Sequence, residues 1–148
     1  MRRFFPLVLV FGLSACAVVS EVNEPTPPES IVEEAAAPPP PPEDARSVDE
    51  FDTTSDAQRR EAADVSDGGV LLGQDVVTLG DPAEPGFWVL TSMVDADVAG
   101  RVELVGGGGS VEVTLMPTAG SGRISLAALR ILEVPLTDLV EVEIYESQ

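Results

Sequence analysis

The sequence predicts a mainly β protein: a small barrel-like β-domain with one late helix, preceded by a disordered tether rich in proline and acidic residues. Apolar residues recur with a period of about two through most of residues 68–148, which is the spacing of strands that bury one face. Residues 16–45 alternate prolines with acids and have too little apolar content to form a core. Residues 46–67 connect these two parts as a short helical lead-in.

The first element is a signal peptide over residues 1–15. Arg2 and Arg3 form its charged region, and residues 4–13 form an apolar region that is too short to span a bilayer. This layout predicts export from the cytoplasm.

Cys16, the only cysteine, closes the run Leu13-Ser14-Ala15-Cys16. Small residues just before a cysteine are the pattern at which diacylglycerol is added to the sulfur before the signal is cleaved, so we expect Cys16 to be lipidated. The alternative is an ordinary secretory signal with an incidental cysteine. Because alanine rather than aspartate follows Cys16, the expected location is the outer membrane of a bacterial envelope, facing the periplasm.

The tether is expected to be an extended spacer, because proline-rich chains favour polyproline II conformation. Its run of five prolines at 38–42 has an alternative role as a ligand for an aromatic groove in a partner. In the lead-in, capping boxes at Ser47 to Glu50 and Ser55 to Gln58 predict a short helix near 55–63. The apolar face of that helix is thin, which predicts a surface element.

The β-domain is predicted from alternating segments between turns rich in glycine and proline. Ser125 can cap a helix whose apolar stripe is Leu126, Leu129 and Leu132, and Val134-Pro135 ends that helix. The predicted strands lie at 76–79, 87–94, 101–104, 111–115 and 141–146. The glycines at 106–109 predict a hairpin turn; a phosphate cradle is the alternative, but a strand rather than a helix follows them.

Charge limits the range of partners. The chain has a net charge of -18, and removal of the two arginines of residues 1–15 takes it to -20. The negative electrostatic field of so acidic a chain repels nucleic acid and anionic lipid headgroups, so we expect no nucleic-acid partner. The expected partners are the membrane, through the lipid on Cys16, and either cell-wall glycan or an envelope protein. With its one cysteine committed to lipid, the chain forms no internal disulfide.

The chain has no histidine and no lysine, so catalysis would have to use carboxylates. We therefore expect a non-catalytic binding or scaffolding domain that needs no cofactor and no metal. The alternative is a carboxylate-dependent enzyme acting on cell-wall glycan or a sugar acid, in which two carboxyl groups converge in one pocket. The acids considered for that role are Asp75, Asp81, Glu84, Asp95 and Asp97.

Three side chains are candidates for ligand binding. Trp88, next to Phe87, could stack on a sugar ring, while Arg123 and Arg101 could bind a carboxylate. The alternative for the aromatic pair is that one ring faces the core and the other covers an edge of the sheet.

Two stretches near the C-terminus resemble the end of the rare lipoprotein A domain, a double-psi β-barrel. They are Ser121-Gly122-Arg123-Ile124-Ser125-Leu126-Ala127-Ala128-Leu129-Arg130-Ile131-Leu132 and Glu141-Val142-Glu143-Ile144. In that family Gly-Arg-Ile, Asp-Leu-Ser and several alanines open a helix before a final strand, and the order of the upstream hairpin is also similar. The resemblance covers about half of the chain. The aspartate of the family's Asp-Leu-Ser falls on Ser125, and its Asp-Arg-Gly-Pro is at best Leu115-Met116-Pro117, so the catalytic acids are not carried over.

The chain also resembles a group of small alphaproteobacterial lipoproteins. The shared stretches are Leu79-Gly80-Asp81-Pro82, Pro85-Gly86-Phe87-Trp88 and Arg123-Ile124-Ser125-Leu126-Ala127-Ala128. Some members carry the label D-galactarate dehydratase. That activity is not expected here, because the sugar-acid dehydratases are much longer and this chain has no lysine or histidine to abstract the proton beside a carboxylate.

Overall fold

Six strands close into a barrel in the order β1-β5-β2-β4-β3-β6. The computed structural model describes residues 37–66 and 68–148. The elements are α1 Val48–Phe51, α2 Asp56–Ala63, β1 Val70–Leu79, β2 Trp88–Thr91, β3 Val98–Leu104, β4 Ser110–Pro117, β5 Arg123–Ile124, α3 Leu126–Ile131 and β6 Val140–Glu146. The predicted fold class, mainly β with a barrel and one late helix, is confirmed.

Closure of the barrel combines parallel and antiparallel pairs. β1 pairs with β5 and β2 with β4 in parallel, and the remaining neighbours are antiparallel. The pairing of β1 with β6 joins the first strand to the last, with Val77 opposite Val140. Every strand therefore has a neighbour on both sides, although β1 meets β5 only at Thr78 and Leu79.

The interior is filled by one row of side chains from each strand, as the alternating pattern predicts. Nine of these inward residues have a relative exposure of zero: Val77, Val89, Thr91, Val102, Val111, Leu115, Ile124, Val142 and Ile144. Gly100 belongs to the same row, where a Cβ would lie 2.5 Å from Cδ1 of Leu115 and 2.6 Å from the carbonyl oxygen of Tyr145. Glycine at this position therefore lets β3 approach its neighbours closely.

Helix α3 packs its apolar side onto this core. Its N-cap is Ser125, whose Oγ accepts hydrogen bonds from the backbone amides of Ala128 and Trp88 and so ties the helix start to β2. Leu129 has zero exposure and Leu132 has 2%. The helix ends before Val134-Pro135, because Glu133 takes a left-handed conformation with φ of 55°.

Several strand boundaries differ from the sequence expectation, and one strand is additional to it; β3 begins at Val98 instead of 101, and β4 ends at Pro117 instead of 115. β1 begins at Val70 instead of 76, since a register shift between Leu71 and Gly73 interrupts its alternation. β2 ends at Thr91 instead of 94. β5 has only two residues and was not predicted, because a strand this short carries no periodicity.

The lead-in has both predicted capping boxes, at the starts of α1 and α2, and Ala62 is its one buried helical residue. Of the predicted tether, residues 16–36 lie outside the described residues. Its end, residues 37–45, contacts the domain: Thr53 Oγ1 donates a hydrogen bond to the carbonyl oxygen of Pro39, and Pro38 lies beside Gly86.

Leu129 provides a test of the core. Leu129→Ala should lower the free energy of unfolding by about 2 to 5 kcal/mol, because it removes a fully buried side chain. Leu139→Ala is the matched control: Leu139 is 73% exposed, and its loss should change stability by less than about 0.5 kcal/mol. Urea unfolding followed by circular dichroism measures both variants. Equal stabilities would mean that Leu129 is not part of the core.

Candidate functional site

Trp88, the proposed sugar-stacking residue, is only 4% exposed. Its ring lies against Gly80, where a Cβ would come within 2.2 Å of ring carbon Cη2, and Nε1 donates to the carbonyl oxygen of Glu84 at 3.2 Å. Phe87 is partly buried and packs against the core. The ring of Trp88 is therefore covered by the loop after β1 and offers no open face to a sugar.

The two candidate arginines do not share a site. Arg101 is on β3 and Arg123 on β5, and these strands are three positions apart in either direction around the barrel. Arg123 is exposed, pairs in register with Thr78 and Leu90, and forms no ion pair with any residue in the described ranges. Only Trp88 and Arg123 lie on neighbouring strands.

Arg101 is instead part of a polar cluster across the outer face of β1, β6 and β3. Its guanidinium lies 4.0 Å from the ring centroid of Tyr145 and forms an ion pair of 3.2 Å with Glu103. Glu143 accepts hydrogen bonds from Gln74 Nε2 at 2.9 Å and from the Tyr145 hydroxyl at 2.8 Å. We call these five residues the Tyr145 cluster.

These hydrogen bonds change two pKa values in opposite directions. The bond from Gln74, followed by that from Tyr145, lowers the pKa of Glu143 below its ordinary 4.5, because both donors favour the charged carboxylate. The bond to Glu143 raises the pKa of Tyr145 above 10.0, since ionisation would remove its proton from the hydrogen bond. The cluster thus favours the ionised acid beside the neutral phenol.

The acids considered for catalysis are not assembled into one site. Asp81, Glu84, Asp95 and Asp97 are exposed on loops, and Asp81 accepts a hydrogen bond from the Ala83 amide at 2.9 Å as part of its turn. Asp75 shares its register position with the buried Val142, and its Oδ1 accepts from the Val76 amide at 2.8 Å. Within residues 37–66 and 68–148, no group of three or more histidine, cysteine or acidic side chains could hold a metal ion.

A buried acid that the sequence analysis missed joins the lead-in to α3. The side chain of Asp52 has zero exposure and forms ion pairs with Arg130 at 2.9 Å and Arg59 at 3.7 Å, besides hydrogen bonds to Thr54. Arg130 also pairs with Asp49 at 2.8 Å. We call this group the Asp52 cluster. Its residues come from α1, the loop between α1 and α2, α2 and α3, so no local sequence pattern reveals it.

A groove of about 600 Å³ on the outside of the barrel is lined by both apolar and polar groups. Three exposed apolar side chains line it: Val76 on β1, Val105 after β3 and Leu139 before β6. Asp138 and Glu141 also line it, and the Val105 amide donates to the carbonyl oxygen of Glu141 at 3.0 Å. We call this site the Val76 groove. A smaller pocket with Gln74 and Asp75 adjoins it and shares Val76, Val105 and Glu141.

A second pocket, of about 380 Å³, lies between α2 and β4. Pro38 and Phe87 provide apolar walls, and Glu61 and Glu112 are acidic neighbours. The Glu112 carboxylate accepts hydrogen bonds from the amide and hydroxyl of Ser66 at 3.3 Å. The chain's own proline segment lines this pocket through Pro38.

Comparisons with protein-family models, with curated proteins and with solved structures found no match for this chain. Among the helices in the described part of the chain, none has the length and apolar content needed to cross a membrane. The function must therefore be argued from the residues themselves.

The Asp52 cluster should hold the lead-in onto the barrel. In Asp52→Ala, Arg130 and Arg59 lose a buried partner, but each is about one third exposed and can be solvated. We therefore expect a loss of about 2 to 3 kcal/mol, near the lower end for a broken buried ion pair. Limited proteolysis of the parent should leave a fragment starting near residue 37, whereas the variant should also be cut near 67.

Arg60→Ala is the control for Asp52→Ala. Arg60 is exposed on α2, next to Arg59, and forms no ion pair within the described ranges. It should keep the parental digestion pattern. If Asp52→Ala gave that pattern too, the cluster would not be what holds the lead-in.

The Tyr145 cluster makes stability depend on pH. Because folding lowers the pKa of Glu143, its contribution is present above the unfolded value and is lost as the pH falls through the folded one. Tyr145→Phe removes one of the two donors, so the Glu143 pKa should rise toward 4.5. NMR titration of the carboxyl carbons measures this change. The pKa of Glu50 is lowered by hydrogen bonds from the Arg46 amide and from Ser47, so it should titrate as in the parent. An unchanged Glu143 pKa would refute the assignment.

Proposed function

We propose that this chain is a lipid-anchored protein of the bacterial envelope whose β-barrel domain binds or scaffolds a protein partner without catalysing a reaction. The observation that carries the binding role is the Val76 groove. Exposed apolar side chains gathered in one concavity are typical of interaction sites, whereas isolated ones are ordinary on protein surfaces. The barrel interior is packed with apolar side chains, which leaves the outer surface for recognition.

A protein partner is favoured over cell-wall glycan because of the aromatic side chains. Sugar-binding sites use open aromatic rings, and within residues 37–66 and 68–148 the aromatic residues are Phe51, Phe87, Trp88 and Tyr145. None of the four is exposed, and one face of the Tyr145 ring is covered by Arg101. Glycan binding would therefore need a rearrangement that uncovers a ring.

The carboxylate-dependent alternative has weaker support. Asp75 and Glu141 line the same small pocket, but Asp75 is opposite Val142 in register and Glu141 is opposite Val76. Side chains on successive register positions lie on opposite faces of a sheet, so the two carboxylates do not aim at one point. Ser125, in the position of the rare lipoprotein A aspartate, is fully buried as a helix cap.

The proposed relation to the rare lipoprotein A domain has support from the position of its best-matching residues. Arg123 and Ile124 form the short strand β5 between β1 and β2, and Ser125 starts the helix directly afterwards. A closed barrel with both parallel and antiparallel neighbours is compatible with the double-psi architecture that the resemblance implies.

The proposed membrane anchor depends on Cys16, which lies outside the described residues. Its lipobox is the support for lipidation, and Ala17 favours the outer membrane facing the periplasm. Diacylglycerol, with further acylation of the new N-terminus, would give firm attachment where one acyl chain is marginal.

Cys16→Ser tests the anchor directly. The variant should lose incorporation of labelled fatty acid and leave the membrane fraction, because the sulfur is the point of lipid attachment. Ser14→Ala, which keeps a small residue before the cysteine, is the control and should stay labelled and membrane-bound. If the wild type carried no lipid and Cys16→Ser stayed in the membrane fraction, the proposed lipid anchor would be wrong.

A further inference from the structure

We propose that the Val76 groove binds a segment of a partner protein that combines apolar side chains with lysine or arginine. This inference rests on the proposed function, because it names the kind of partner that the binding domain takes. Val76, Val105 and Leu139 are 44%, 40% and 73% exposed and line one concavity. Removing these side chains from water would favour an apolar partner.

The charge around the groove specifies the second property of the partner. Asp138 and Glu141 lie among its lining residues, which include no basic side chain, and Asp75 lines the adjoining pocket. The whole chain has a net charge of -18, so its overall electrostatic field is negative, like the charges of the carboxylates at the groove. A cationic segment is therefore attracted at long range and finds carboxylates next to the apolar surface.

The same charges disfavour the other occupants. In a symmetric pair of copies both partners would bring Asp138 and Glu141 to one interface, so like charges would meet. Phosphate groups of nucleic acids or lipids would be repelled for the same reason. No strand of the barrel lacks a neighbour on a whole side, so a partner strand could pair only along the part of β1 before Thr78. The proposal places recognition in the exposed side chains of the groove.

The hairpin between β3 and β4 borders the groove through Leu104, Val105 and Gly107. Gly107 has φ of 81°, and a Cβ there would meet nothing within 4 Å. Glycine at this position adds no side chain to this border of the groove. The opposite wall includes Val134 and Pro135 of the loop after α3.

Binding can be tested with short fluorescent peptides and the purified full chain at about 0.15 M salt. The probe is a peptide of alternating leucine and lysine; peptides of leucine with glutamate and of serine with lysine are the references. Only the leucine–lysine peptide should bind well, and NMR amide shifts should occur at Val76, Val105 and Leu139. Combining Val105→Ser with Leu139→Ser should weaken its binding by about tenfold.

Two control variants distinguish binding at the groove from nonspecific apolar or electrostatic attraction to other parts of the surface. Val48→Ser alters an apolar side chain that is 43% exposed on α1 and should leave binding unchanged. Asp138→Asn with Glu141→Gln should weaken binding several-fold, whereas Asp95→Asn with Asp97→Asn, an equal loss of charge on another loop, should have a much smaller effect. Circular dichroism checks that each variant remains folded.

Three results would overturn the proposal: equal binding of the serine–lysine or leucine–glutamate peptide, equal weakening by groove and control variants, or a dimer that Leu139→Ser dissociates. The peptide-binding experiment can be done with the purified chain whether or not Cys16 carries lipid. Groove binding by a chain that proves unlipidated would refute the anchor alone. A lipidated chain that fails to bind the leucine–lysine peptide would refute the proposed partner and leave the anchor in place.

Discussion

The pairing of β1 with β6 is the constraint on which the rest of the structure depends. It joins the two ends of the barrel sequence through a ladder from Val70 opposite Glu146 to Val77 opposite Val140. Without this ladder the inner rows of side chains would have no opposing wall. The same ladder sets Val76 opposite Glu141, so closure of the core and composition of the outer groove follow from one register.

The lead-in adds a second layer, and electrostatics more than apolar burial attaches it. Its helices bury little, with Ala62 as the one buried helical residue, but Asp52 brings a fully buried carboxylate to Arg59 and Arg130. Arg101 is likewise paired with Glu103. Three of the six arginines after residue 15 thus form ion pairs within the described residues, which leaves the acidic surface with little compensation.

Local pattern predicted the elements whose residues alternate without interruption. The hairpin of β3 and β4, the helix capped by Ser125 and the final strand were all predicted because period and capping are encoded within a few residues. The first half of β1 was not, since the register shift at Leu71 to Gly73 breaks its alternation. β5 was missed because its two residues form a strand only by pairing with β1 on one side and β2 on the other.

The candidate site was less predictable than the fold, for a physical reason. Burial of Trp88 depends on Gly80 and Glu84 folding over it, and the Val76 groove needs β1 and two distant loops to meet. The ion pair between Asp52 and Arg130 spans 78 residues of sequence. Such contacts arise from topology, whereas the proposed lipidation of Cys16 rests on a local pattern of four residues.

Closure of the sheet has a consequence for contacts between copies of this domain. Proteins with open sheets risk joining edge to edge at high concentration, and they need charges, prolines or bulges to prevent it. In the described barrel every strand has a neighbour on each side, and the longest stretch with one neighbour is the part of β1 before Thr78. Joining of copies through the backbone is therefore limited to that one stretch, and the other contacts between copies must form through side chains, whose charge can regulate them.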